Sequence, residues 1–466
     1  MTTTRIGELT NKMVGHIIAP LSRQILHETQ HVWQSKHLSA VKGEVVAKKT
    51  TVAIARSSAD LGKPGEYTRD QLNLVRDMIR QIASQTMGGM QNIVKAGNKV
   101  LIKINTVIPC PANAGFTTDP RMLEALIELV KEQNPSRIQI GERCAMGGDT
   151  KKAMDECGIT AVASRTGVEL CPYDNVPFDM YKIDRAMPFN EFPVPRPVRE
   201  ADVYIGLPKF KVHVHTVFTG ALKLQFGNLP NYEWMTRCHH DEIFQKIVNL
   251  TRAANPKWFV MDSLYACQGN GPFSPYSEDL IKDWNTICGG PDPVAVDTVC
   301  EALMDWDYPG TNAPATILGA ADGLGTNRLH EIEIAGVPID QAKRRFKRSN
   351  TAVHGQYPNV NVIMGSDCDA GCKAVVRIQL DQLQADGTLE KLKRPLYVFA
   401  GIQFEPHVKP SDGDIIVVGD CAKPMLEHFP NAKYWGDCEE YRGYTPIWAN
   451  RPDVGIANYV RQLANA

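Results

Sequence analysis

The densest run of potentially reactive side chains lies in KFKVHVH, where Lys209, Lys211, His213 and His215 alternate with apolar residues. On a strand, alternation places all four on one face. Two lysines and two histidines on one face suit an anionic substrate, or a metal that carries a bound anion. Lys223 and Asn228 follow, then Cys238-His239-His240-Asp241, and a later His or Asp would complete a metal site with the strand histidines. Ordinary surface or hydrogen-bonded roles are the alternative for this group. Lys103 and Asn105 occupy alternate positions of the apolar run VLIKIN, and Glu142 ends IQIGE. A lysine in such a run is costly to bury alone, so it either lines a cleft or pairs with Glu142. Thr117 and Thr118 stand at a helix start, as caps or as the rim of a phosphate or carboxylate site. Asp262 ends WFVMD before the turn Gln268-Gly269-Asn270-Gly271-Pro272. It is placed to bind metal, orient a histidine or cap the turn. Asp297, inside an apolar helix, is expected to accept hydrogen bonds locally.

A second set comprises four cysteines near the end of the chain. Cys368 and Cys372 are four residues apart at a helix start, Cys421 follows the run DIIVVGD, and Cys438 lies in YWGDC. Four thiolates would hold an iron–sulfur cluster or zinc, although the spacing matches no standard ligand pattern. A reactive thiol or inert packing are the other readings. Cys157, Cys288 and Cys300 sit in apolar surroundings and are read as core residues.

These side chains need a scaffold of alternating strands and helices. TVAIAR (51–56), VLIKIN (100–105), IQIGE (138–142), VYIGLP (203–208), WFVMDSLYA (258–266) and IEIAGV (332–337) read as strands. Helical periodicity fills 68–94, 118–133 and 292–306, with Thr118 as a cap and Pro120 in the first turn of the second helix. The alternation predicts an α/β fold: a mainly parallel sheet domain with flanking helices, over 51–350. KRRFKRS (343–349) reads as a solvated helix end, with an anion site as the lesser reading. NTAVHGQYPN (350–359) reads as a linker to a smaller C-terminal α/β domain over 351–466 that contains the cysteines. Residues 1–50 read as a helical arm that packs on its own domain or on a second copy, so a homodimer is an expectation.

Seven phrases in order resemble one family. They are VLIKINTV (100–107), Thr117-Thr118-Asp119-Pro120, IGE (140–142), PKFKVHVHTVFTGALKLQFGNLP (208–230), VMDSLYACQGNGP (260–272), DPVAVDTV (292–299) and GAADGLG (319–325). Together they resemble the domain of unknown function 362 family over about residues 51–350. The resemblance implies an α/β fold and little about reaction. Some relatives carry a ferredoxin-like module with closely spaced cysteine quartets; no such quartet occurs here.

The chain has 466 residues, 43% hydrophobic and 22% charged, with a net charge of −1. No global field recruits nucleic acid or an anionic membrane, and no run approaches the ~20 apolar residues of a membrane span. A cytoplasmic protein is expected, with no nucleic-acid or membrane partner. The functional expectation is a metal- or iron–sulfur-dependent enzyme acting on a small anionic molecule, redox chemistry first. Lys103, Lys209 and Lys211 would bind the anion, and His213 and His215, with Asp262 or Glu142, would be acid–base groups or metal ligands. A redox-free metal-dependent hydrolase or lyase is the enzymatic alternative. A metal-trafficking or ligand-binding protein without turnover is the non-enzymatic one.

Overall fold

The computed structural model describes residues 50–145, 148–183, 190–239, 242–272, 274–350, 352–353, 355–365, 372–406, 408–436 and 455–466. The arm expected over 1–50 lies almost wholly outside the described residues, as do His240, Asp241, Cys368 and Cys438.

The main sheet runs Ile332–Gly336, Thr50–Arg56, Thr286–Gly290, Trp258–Cys267, Val203–Gly206, Lys99–Lys103, Arg137–Glu142, Glu169–Pro172 from edge to edge. Neighbours along this path are parallel except at Thr286–Gly290, which is antiparallel to both of its partners. Strand alternation divides the core: Ala53 and Ala55 face one hydrophobic cluster, Val52 and Ile54 the other. Both faces are covered by apolar residues, as a mainly parallel sheet requires.

Each flanking helix starts where the local chemistry favours it. Thr68 and Gln71 form a reciprocal capping box on Arg69–Met87, which ends at Gly88 in the left-handed conformation. In Pro120–Lys131 the cap is Asp119, which accepts from the Arg121 N–H. The sequence pattern points to Thr118 for that task. Its hydroxyl instead accepts the Asn105 N–H at 2.9 Å and so ties the helix start to the end of the Lys99–Lys103 strand.

A side branch carries the candidate residues. Lys209–His213 runs parallel to Trp258–Cys267, with Lys209 opposite Asp262 and Lys211 opposite Cys267, and the register shifts between them. Val217–Thr219 closes an antiparallel ladder on its other side. The strand ends at His213. Residues 214–216 form a turn, so His215 does not share the strand face with Lys209 and Lys211.

A separate sheet of four parallel strands, Val360–Met364, Leu396–Ala400, Asp414–Val418 and Lys433–Trp435, has its own core with the helices Cys372–Ala385 and Ile456–Asn465. Within 350–359, Tyr357 is buried, and its hydroxyl donates to Asp381 at 2.8 Å. No described helix is long and apolar enough to cross a membrane.

Candidate functional site

Parallel strands deliver their C-terminal ends to one edge of a sheet, where open α/β sheets bind ligands. Lys103 and Glu142 are the last residues of adjacent parallel strands. They form a fully buried ion pair at 2.7 Å. Glu142 also accepts the Thr106 N–H at 2.9 Å and the Arg143 N–H at 2.7 Å, and Lys103 donates to the Ile104 carbonyl at 2.8 Å. Burial raises the Glu142 pKa and lowers that of Lys103, while their mutual attraction opposes both shifts. Gly227 lies directly over the pair: a Cβ there would stand 2.3 Å from Glu142 Oε1 and 2.4 Å from Lys103 Nζ. Of the two roles open to these residues, the geometry is that of a structural pair.

A second buried pair joins Lys209 to Asp262 at 3.1 Å. Asp262 Oδ2 also accepts the Asp119 N–H at 2.7 Å, and Asp119 is clamped by Arg121 at 2.5 Å. Asp262 Oδ1 has no hydrogen-bond partner among the described residues. Burial raises the Asp262 pKa against the pull of Lys209.

Lys211 differs from both. It is buried, yet among the described residues no carboxylate lies within salt-bridge distance of it. Its Nζ donates to two neutral acceptors, Asn105 Oδ1 at 2.8 Å and the Phe116 carbonyl at 2.6 Å. Burial, with a contribution from the Lys209 charge, brings its pKa down to about 7. Half-buried Lys223 is also lowered to about 7, by desolvation and by the charge of Lys211. Its Nζ stands 3.7 Å over the Phe226 ring. Two amines therefore sit near the midpoint of titration at neutral pH, the range suited to proton transfer.

The His213 ring has a defined tautomer. Its Nδ1 accepts the backbone N–H groups of His215 at 3.0 Å and Thr216 at 3.3 Å. The neutral ring then carries its proton on Nε2, which makes that atom a donor. The His215 ring lies 6.4 Å away, and desolvation drives its pKa down to about 4, so it is neutral at physiological pH. Val107 and Val217 have φ of 42° and 68°. Such angles are true outliers for β-branched residues, and strain of this kind concentrates at functional sites.

Thr117 is buried beside the Cys110 thiol. Cys110 and Cys267, neither singled out by the sequence pattern, both interact with Lys211, and burial pushes the Cys267 thiol up to about 11. The signal was present for Cys267, which stands opposite Lys211 within VMDSLYACQGNGP. Asn228 does not reach the lysines through a described hydrogen bond; its amide donates to the Tyr204 hydroxyl and to Gln225. Asp297 does not act locally: it accepts the Ala221 and Leu222 N–H groups at 2.6 and 3.1 Å, anchoring the segment that carries Lys223. The basic run 343–349 is taken up by acids, with Lys343 on Asp340 and Asp305, Arg344 on Asp283, Arg345 on Asp307 and Lys347 on Asp279.

The C-terminal cysteines are only partly described. Cys372 is buried at the start of Cys372–Ala385, and Cys421 is half-buried in the turn after Asp414–Val418. Among the described residues no group of three or more His, Cys, Asp or Glu side chains is arranged to hold a metal ion.

The cluster at the strand ends now has a family context. Residues 100–302 match the family model described as Domain of unknown function (DUF362). The DUF362 region is narrower than the span expected from the phrases, and it contains every lysine of the cluster together with Glu142, His213, His215 and Asp262. Over 250 residues the chain is 26% identical to the thylakoid-associated protein sll1697 of Synechocystis sp. (strain ATCC 27184 / PCC 6803 / Kazusa), covering 52% of this chain and 73% of that protein. Among solved structures, the lactate racemase apoprotein of Thermoanaerobacterium thermosaccharolyticum aligns over 70% of this chain and 67% of its own, at 12% identity and a TM-score of 0.34. A Thermotoga maritima protein aligns over 80% of this chain and 92% of its own, at 10% identity and a TM-score of 0.30.

Proposed function

We propose that the DUF362 region is the catalytic part of an enzyme that moves a proton on a small anionic substrate, with Lys211 as the group that gives and takes it. One observation carries this reading: Lys211, in the middle of Lys209–His213 and bonded to Asn105 just past the end of Lys99–Lys103, is buried and held by two neutral acceptors, whereas Lys103 and Lys209 are each matched to a carboxylate. A buried amine without a counter-charge is costly, and an incoming anion offsets that cost. Lys209 and Lys223 add positive potential around it, which favours a carboxylate or phosphate over a neutral molecule. His213, with its proton on Nε2, is a donor for the same anion.

The redox form of the expectation rests on Cys368, Cys372, Cys421 and Cys438 holding an iron–sulfur cluster or zinc. It concerns a different part of the chain, and metal and sulfide analysis of anaerobically purified protein tests it separately.

The test of the main reading is incubation of the full chain in D2O with a panel of small carboxylates, followed by NMR of the substrate C–H positions. Enzyme-dependent deuterium exchange is expected, with kcat/KM rising through about pH 7 as Lys211 becomes a neutral base. Lys211→Met should lower the rate by about 10²–10⁴-fold, the usual worth of a positioned acid–base group. Exchange that is unchanged in Lys211→Met would remove Lys211 from the chemistry.

A further inference from the structure

We propose that Lys211 is a covalent nucleophile and that the substrate is a 2-oxo acid, which it holds as an imine; this rests on reading Lys211 as the reacting amine. The argument begins with its hydrogen bonds. A neutral amine has two N–H bonds and one lone pair. Asn105 Oδ1 and the Phe116 carbonyl take two N–H bonds, so the lone pair is left unspent and both hydrogens are held away from it. No described hydrogen bond donates to Lys211 Nζ. Buried Lys103 and Lys209 are instead each paired with a carboxylate, Lys103 with Glu142 and Lys209 with Asp262.

Imine-forming lysines are kept neutral by desolvation or by a second cation nearby. Lys211 meets both conditions, being buried and within the field of Lys209 and Lys223. The same field selects the electrophile. A simple ketone or aldehyde gains nothing from those cations, whereas a 2-oxo acid carries a carboxylate on the carbon next to its carbonyl. Anchoring that carboxylate sets C-2 beside the amine, within the reach needed for a bimolecular step to become effectively unimolecular.

The step needs no oxidant or reductant. The Lys211 lone pair attacks C-2 and the N–C bond forms as the C–O π bond breaks, and one proton of the now cationic nitrogen passes to the carbonyl oxygen to give a neutral carbinolamine. The C–O bond then breaks and the hydroxyl leaves as water with one further proton taken from solvent, while the neutral His213 ring offers its Nε2–H as a hydrogen bond to the departing oxygen. The product is the iminium ion, whose positive nitrogen draws electrons from an adjacent breaking bond. That accounts for a proton leaving C-3, the chemistry of an aldol, dehydration or exchange reaction.

The experiment is reductive trapping. The full chain is incubated with pyruvate, oxaloacetate, glyoxylate and 2-oxoglutarate in separate samples, treated with cyanoborohydride, and read by intact mass and peptide mapping. Binding of the same four compounds is followed in parallel by calorimetry without reductant. A single adduct on the peptide carrying Lys211, absent in Lys211→Arg, is the expected result. Binding of a 2-oxo acid with no adduct at Lys211 overturns the covalent step and leaves the anion site standing. Adducts spread over exposed lysines, with Lys211 unmodified, also overturn it. Neither binding nor an adduct with any of the four overturns the imine and the anion reading together.

Discussion

Asn270 donates its side-chain amide to the Asp381 carboxylate at 2.7 Å, and its own carbonyl oxygen accepts the Asn350 N–H at 2.7 Å. One side chain thereby joins the Gly-rich turn after Trp258–Cys267, the start of the 350–359 segment and the helix Cys372–Ala385. The same turn meets the residue that follows the lysine strand, because the Gly271 carbonyl accepts the Val214 N–H at 3.0 Å. Asp381 is further held by Tyr357 and Arg377. The helix that packs on the second sheet is thus tied through Asn270 to the turn that follows Trp258–Cys267.

Asn270→Ala should therefore weaken both stability and the site. It removes one donor from the buried Asp381, a loss of about 1–3 kcal/mol, and takes away the acceptor of the Asn350 N–H at an exposed position, which costs less because water replaces it. Urea denaturation should show a lower midpoint. In the D2O exchange assay KM should rise more than kcat falls, since the turn positions the site and does not touch the reacting atoms. Equal and small changes in both would show that the turn holds its shape without Asn270.

Glu142→Gln tests the structural role assigned to the buried pair. The substitution leaves an uncompensated Lys103 charge in the interior, and breaking such a pair costs about 3–5 kcal/mol. Adding Lys103→Met should recover most of the loss, because glutamine still offers an oxygen to the Thr106 or Arg143 N–H. Denaturation of the wild type, both single variants and the double variant forms the required cycle. A double variant no more stable than Glu142→Gln would mean that the pair does more than neutralise itself.

Asp297 makes stability depend on pH in a definite direction. Burial raises its pKa to about 8, against an ordinary value near 4 in the unfolded chain. From about pH 4 to about pH 8 the folded protein keeps a proton that the unfolded chain has released, so stability falls as pH rises through that window. Asp297→Asn does not titrate, and the wild type should lose stability relative to it over the same interval. Parallel profiles for the two proteins would show that the carboxyl is already ionised in the fold.

Most strands were legible because their apolar, β-branched runs are long enough to leave little choice. TVAIAR, VLIKIN and IQIGE each become a strand within a residue or two of the expected bounds. The Lys103–Glu142 pair was legible too, since both residues end adjacent strands. The Lys209–Asp262 pair was not, because it depends on Lys209–His213 joining Trp258–Cys267 as a parallel side branch, a pairing that no hydropathy pattern carries. His215 illustrates a different limit. Its alternation with Lys211 and His213 looks like a strand, but a ring nitrogen of His213 captures two backbone N–H groups and turns the chain. Side-chain-to-backbone bonds of this kind compete with ladders and leave the apolar pattern unchanged.

The place of Thr50–Arg56 in the main sheet has a consequence for synthesis. Its two neighbours, Thr286–Gly290 and Ile332–Gly336, leave the ribosome more than two hundred residues later. At ~5–20 residues per second the first strand waits for on the order of ten seconds or more with both edges open. A chain that stops before residue 286 has no partner to offer it on either side. The main sheet is therefore closed by its last-made strands, and the nascent protein depends on something other than that sheet to keep the apolar segment from finding another chain.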